Sequence, residues 1–160
     1  MEALGHAAAA AGRVYFTGGA TAVLLGWRFT TIDVDVKFVP EHDALLRAIP
    51  GLKERLQINV ELASPRDFIP VTPGWEDRSV FIAEAGRLSF FHFDLYAQAL
   101  AKLERGHAQD VGDVQEMLAR QLIEPVRVLE YFNRIEPELY RYPAIHAPSF
   151  RRAVQEICRS

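Results

Sequence analysis

Apolar and polar positions alternate with period two in the first part of this chain and with a helical period in the last. Residues 14–17 are β-rich and short. In 32–39, Ile32, Val34 and Val36 alternate with Asp33, Asp35 and Lys37, and 56–62 repeats the pattern as Leu-Gln-Ile-Asn-Val-Glu-Leu. Such alternation predicts half-buried strands. Residues 80–85 and 88–93 flank Gly86-Arg87 and predict a hairpin. Between these runs the pattern predicts helices over 2–11, 20–25 and 41–49. The first follows from alanine content, the second stops at Gly26, and the third is bounded by Pro50-Gly51. Residues 63–77, with Pro65, Pro70, Pro73 and Gly74, form the longest irregular stretch, a length that marks a functional or mobile loop. From Asp94 onward the pattern is helical: 94–105, 109–121, 125–135, 137–141 and 149–159, with Pro125 and Pro137 at first-turn positions.

Strands and helices alternate early and helices follow. The fold class expected is α/β (α+β): a mixed β-sheet core over 1–93, with a helical region over 94–160 packed on it as a single compact domain. At 160 residues the chain is long enough to fold without disulfide or structural metal. Hydrophobic content of 49% and charged content of 24% are those of an ordinary globular protein. A net charge of −3 rules out a chain coated in basic residues, so any nucleic-acid surface must be local. The single cysteine, Cys158, cannot pair internally, which fits a reducing cytoplasm. The alanine run at 7–11 lacks a basic leader and is not read as a signal peptide. No apolar stretch approaches a membrane span.

One segment carries chemistry. Thr17-Gly18-Gly19-Ala20-Thr21 leads into a short helix, and Asp33-Val34-Asp35-Val36 follows about a dozen residues later. Residues i and i+2 of a strand point the same way, so Asp33 and Asp35 present two carboxylates side by side. Two adjacent carboxylates repel and call for a cation. Oxygen-only ligation suits Mg²⁺, which takes one or two protein carboxylates plus substrate phosphates. A glycine turn at a helix start favours phosphate. Glu61, in Asn59-Val60-Glu61-Leu62, is the candidate third carboxylate, with Asp67 and Asp94 in reserve; Asp94 equally suits the N-cap of the next helix. Arg28 is placed either to grip a triphosphate or to pair with an acid and shape the loop. Thr30 and Thr31 suit orientation of backbone and carboxylates. The histidines are scattered without zinc spacing, and His92, in an aromatic run, reads as a satisfied histidine rather than a base. Arg120, Arg127, Arg134 and Arg141 recur every seven residues, but the intervening prolines and glutamates favour a solvated, salt-bridged face.

The string from Gly18-Gly19 through Gly26-Trp27-Arg28-Phe29-Thr30-Thr31-Ile32-Asp33-Val34-Asp35 resembles the nucleotidyltransferase superfamily, the polymerase-β-like fold. Within it, the string is most similar to the bacterial abortive-infection toxin branch. The core resemblance covers roughly residues 13–105, and its early string is the specific part. It implies an Mg²⁺- or Mn²⁺-dependent enzyme that transfers a nucleoside monophosphate from an NTP to a hydroxyl. Asp33, Asp35 and Glu61 would hold metal and act in catalysis. Gly18, Gly19 and Thr21 would cradle phosphates, with Arg28 and Lys102 offsetting their charge. The stretch Lys102…Arg105…Asp110-Val111-Gly112-Asp113 resembles the Lys…Arg…Asp-x-x-Asp stretch after the core of that branch, which implies a phosphate contact at Lys102 and a catalytic or supporting role for Asp110. The bland reading of the same stretch is a salt-bridged helix corner. The acceptor implied is RNA, such as a tRNA 3′ end, or a protein hydroxyl. The setting implied is a cytoplasmic toxin–antitoxin component with an antitoxin partner. The competing class is a nucleotide- or partner-binding protein of the same fold with little or no turnover. A hydrolase or kinase-like phosphotransferase with the same metal geometry is the weaker third.

Overall fold

The computed structural model describes residues 1–159. The chain forms two units: Met1–Ser64 with Ser79–Phe93, and Pro65–Arg78 with the chain from Asp94 onward. The first is an α/β unit. Its elements are α1 (Glu2–Ala7), β1 (Gly12–Thr17), α2 (Gly19–Leu25), β2 (Asp33–Val39), α3 (Asp43–Leu56), β3 (Asn59–Leu62), then, beyond the inserted segment, β4 (Val80–Ala85) and β5 (Leu88–His92). The second unit is helical: a 3₁₀ turn at Pro65–Asp67, the single turn α4 (Trp75–Arg78), and α5 (Leu95–Arg105), α6 (Ala108–Ala119), α7 (Pro125–Ile135) and α8 (Ala147–Arg159). The α+β class expected from the alternation is the one observed.

The strands form one mixed sheet in the order β3-β2-β1-β5-β4. β1 runs antiparallel to β2 and parallel to β5, and β2 runs parallel to β3. The period-two pattern decides which face is which. Val36 and Phe38 of β2, Val14 and Phe16 of β1, Phe90 of β5 and Val60 of β3 enter one core with Leu45 and Leu52 of α3. Burying a Val, Leu, Ile or Phe side chain is worth about 1.5–3 kcal/mol, so this back face fixes the register of every strand in front of it.

Three boundaries move furthest from the pattern. α1 ends at Ala7, not at 11, and Ala8 is extended. Alanine propensity alone cannot hold a short helix, and the chain is drawn toward β1, where Arg87 donates to the Ala9 carbonyl at 2.8 Å. α3 begins at Asp43 and runs through Pro50 and Gly51 to Leu56. Leu45, Ile49 and Leu52 share its core-facing stripe, and Pro50 lies on the exposed side; packing thus outweighs the missing N–H. The strand expected over 56–62 accordingly starts only at Asn59, after Gln57 leaves the helix at φ 53°.

Candidate active site

The pleat of β2 sets Asp33 and Asp35 on the face opposite Val34, Val36 and Phe38. Register extends the polar face to both neighbours: Thr17 of β1 and Glu61 of β3 both lie opposite Asp35, and Asn59 lies opposite Asp33. Asp33 and Glu61 are exposed and Asp35 is half-buried. The carboxylates named from the sequence therefore share one face of two paired strands.

The glycine turn is referenced to the same strands. Thr17, the last residue of β1, pairs with Asp35, and Gly18 follows at φ 66°. That backbone suits glycine. A methyl group on Gly18 would lie 3.1 Å from Asp35 Oδ2, so the turn and the carboxylate touch through the missing side chain. Gly19 opens α2 against Thr31 and Arg28: a methyl there would lie 2.5 Å from Thr31 Oγ1 and 3.3 Å from Arg28 Nη1. Thr31 in turn clamps the start of β2. Its hydroxyl donates to the Asp33 carbonyl at 3.0 Å and accepts from the Asp33 N–H at 3.2 Å. The orienting role expected of Thr31 has this physical form, and Arg28 is brought to the head of the glycine helix.

Thr21 faces inward. Its fully buried hydroxyl donates to the Phe16 carbonyl at 3.3 Å and meets His92 Nδ1 at 3.1 Å. It anchors α2 to the sheet rather than presenting a hydroxyl to solvent. Burial drives the pKa of His92 from 6.5 down to about 4, because a charged imidazole loses its water there. His92 is neutral near pH 7 and belongs to the interior.

Asn59, to which the sequence pattern assigns no role, joins the carboxylates. Its side-chain amide donates to Asp33 Oδ1 at 3.3 Å and to Glu61 Oε1 at 3.0 Å. The signal was present: Asn59 is two residues from Glu61, so a strand puts both on one face. Among the described residues no three His, Cys, Asp or Glu side chains converge into a ready metal cage. Mg²⁺ delivered with a triphosphate needs no such cage, since one or two protein carboxylates suffice. The all-oxygen donor set of Asp33, Asp35 and Glu61 fits that hard cation.

The second polar group sits in the helical unit. Lys102 of α5 is 5% exposed, and its ammonium lies 2.7 Å from Asp113 Oδ2 and 3.9 Å from Asp110 Oδ1. Arg105 grips Asp110 with two bonds, 2.8 Å from Nε and 2.5 Å from Nη2. Asp110 also caps α6 by accepting from the His107 N–H at 3.3 Å. Burial pushes the Asp110 carboxyl up, but the bonds and charge of Arg105, with Lys102 behind them, outweigh it and hold its pKa below the usual value. Two cations and two carboxylates thus neutralise one another at the α5–α6 corner. Asp94 caps α5 by accepting from the Tyr96 N–H, and Arg78 binds its other oxygen at 2.9 Å. Of the arginines spaced by seven, Arg120 pairs with Glu116 and Arg141 with Glu138. Arg127 and Arg134 lie over the ring of Tyr131.

A family model described as "Nucleotidyltransferase of unknown function (DUF6036)" matches residues 8–138. No curated protein and no solved structure matches the chain. Among the described residues no helix is long and apolar enough to cross a membrane.

Proposed function

The chain belongs to this nucleotidyltransferase family, and on that premise we propose that it transfers a nucleoside monophosphate from an NTP to a hydroxyl in an Mg²⁺-dependent reaction. One observation carries the reading: Asp33, Asp35 and Glu61 lie on one face of β2 and β3, and Gly18 turns directly against Asp35. In the reaction the acceptor oxygen forms a bond to the α-phosphorus. The bond from that phosphorus to the β-phosphate bridging oxygen breaks, and pyrophosphate leaves with its electrons. The hydroxyl proton departs toward Glu61.

Each residue has a task in this scheme. Asp33 and Asp35 would hold the divalent ion, which when bound offsets phosphate charge and polarises the reacting oxygens. Glu61 would share the ion on the acceptor side. Gly18 and Gly19 let phosphate approach the backbone closely, and Arg28, at the head of α2, offers the cation for it. Thr31 keeps Asp33 in place, and Thr21 fixes the helix from behind. Lys102 and Asp110 enter as the self-neutralised corner of the helical unit. The toxin resemblance supplies the acceptors to try, an RNA 3′ end such as that of tRNA or a protein hydroxyl, and an antitoxin as partner.

Incubation with each α-labelled NTP, Mg²⁺, and total RNA or protein tests the proposal. Label is expected in one acceptor fraction, and Asp35→Asn is expected to abolish it while the circular dichroism spectrum is unchanged. Label that is transferred equally well in EDTA, or by Asp35→Asn, defeats the reading. Because the three carboxylates form no closed cage, nucleotide binding without turnover is the second reading; retained NTP with no labelled acceptor would favour it.

A further inference from the structure

We infer that Asn59 is the positioning residue of the carboxylate face, holding Asp33 and Glu61 ready for a divalent cation. The inference rests on the metal reading of Asp33 and Asp35 and deepens it.

A side-chain amide has two N–H donors. Both hydrogen bonds from Asn59 Nδ2 go to carboxylates, one to Asp33 Oδ1 and one to Glu61 Oε1. Each bond uses only one oxygen. Asp33 Oδ2 and Glu61 Oε2 accept no hydrogen bond from the described residues, so the outer oxygen of each carboxylate stays open to a cation. The amide itself is anchored. The Asn59 N–H donates to the Ile32 carbonyl at 2.6 Å, at the residue before β2, and Asn59 pairs in register with Asp33. A donor fixed on the ladder thus reaches across to β2 and along to Glu61.

The residue type suits the task. Two like charges on exposed side chains separate unless something positive lies between them. An amide supplies two partial positive charges without cancelling the negative charge that attracts a metal. Aspartate here would add repulsion, lysine would neutralise the face permanently, and serine is too short to span both acceptors. Glu61 has three rotatable side-chain torsions, and holding it in one arrangement before the cation arrives removes an ordering cost from binding.

The test measures Mn²⁺ binding to the full chain by the loss of the free-ion paramagnetic resonance signal, which needs no acceptor or turnover. Wild type is expected to bind and Asp35→Asn to fail. Asn59→Ala is expected to bind about ten-fold more weakly, the scale of losing a partner that orients a metal ligand. Asn59→Ser is expected to match Asn59→Ala, which guards against one variant folding poorly; circular dichroism checks both. In a Glu61→Gln background the Asn59→Ala effect is expected to shrink to about three-fold or less, because residues acting through one another are not additive. An Asn59→Ala protein that binds Mn²⁺ within about two-fold of wild type, or more tightly, overturns the inference and leaves the metal reading standing; the difference is well inside what a lost orienting partner costs. Wild type that binds no Mn²⁺ removes the metal reading and the inference with it.

Discussion

Lys102→Met is expected to destabilise the protein strongly without touching nucleotide affinity in molecules that remain folded. The Lys102 ammonium is buried, 2.7 Å from Asp113, which is itself only 3% exposed. Methionine keeps most of the apolar stem but strips the charge. Asp110 retains the two bonds from Arg105, so the cost falls mainly on Asp113, whose buried carboxylate loses the ammonium at 2.7 Å. Breaking one side of a buried pair costs about 3–5 kcal/mol. At about 2–4 °C per kcal/mol for a chain of this size, that lowers the melting temperature by about 6–20 °C. The companion variant Lys102→Met with Asp113→Leu removes both charges and is expected to recover at least half of the loss, since replacing a buried pair by apolar groups is often near neutral. Urea denaturation of the three proteins measures this, with NTP affinity followed in parallel below the transition. A Lys102→Met protein as stable as wild type that binds NTP about ten-fold less tightly would refute the argument. It would return Lys102 to the phosphate-contact role that the sequence resemblance implies, a contact of the 1.5–3 kcal/mol class.

Stability is expected to fall by up to about 3 kcal/mol as pH drops from 6.5 to about 4, because the buried neutral His92 has a folded pKa below its unfolded value and the unfolded chain takes up the proton first. In His92→Gln that dependence should vanish from urea midpoints compared at pH 7 and about pH 4.5; a wild-type midpoint flat over this range would contradict it. Gly18→Ala is expected to weaken NTP and Mn²⁺ binding together, since the added methyl meets Asp35 Oδ2 at 3.1 Å on a backbone at φ 66°; calorimetry showing wild-type affinities would remove Gly18 from the site. Pro50→Ala is expected to raise stability by about 1–2 kcal/mol, by restoring an N–H inside α3 against a small gain in unfolded-state freedom. A lower melting temperature for that variant would show that the ring packs usefully.

The back face of the sheet was legible in the sequence because burial and period two say the same thing twice. Val34 and Val36 had to share a side, so Asp33 and Asp35 had to share the other. The hairpin at Gly86-Arg87 and the helices after Asp94 were legible for a similar reason, as turn chemistry and apolar spacing agree there. Pro50 hides the extent of α3, because a local breaker reads as a stop while the core stripe of Leu45, Ile49 and Leu52 carries the helix on to Leu56. Thr21 meets its partner His92 across a separation of 71 residues, whereas Lys102 meets Asp113 on the next helix, in the salt-bridged corner that the sequence also allows. Residue type alone cannot say whether such a group faces a ligand or another side chain. Asn59 does not stand out in the sequence because asparagine carries no charge, and its value comes from standing between two groups that do.

The pairing of Thr17 with Asp35 has a consequence for how this surface can change over generations of variants. A slip of one residue between β1 and β2 would exchange the aspartates with Val34 and Val36. Acidic groups would then enter the interior and valines would meet solvent. The apolar residues behind the sheet therefore act as a ruler for the chemistry in front of it. Substitutions on the front, at Asp33, Asn59 or Glu61, are free to explore other ligands and reactions without disturbing that ruler. Substitutions behind it, at Val36 or Phe38, move no reacting group directly, yet they set the aim of every one.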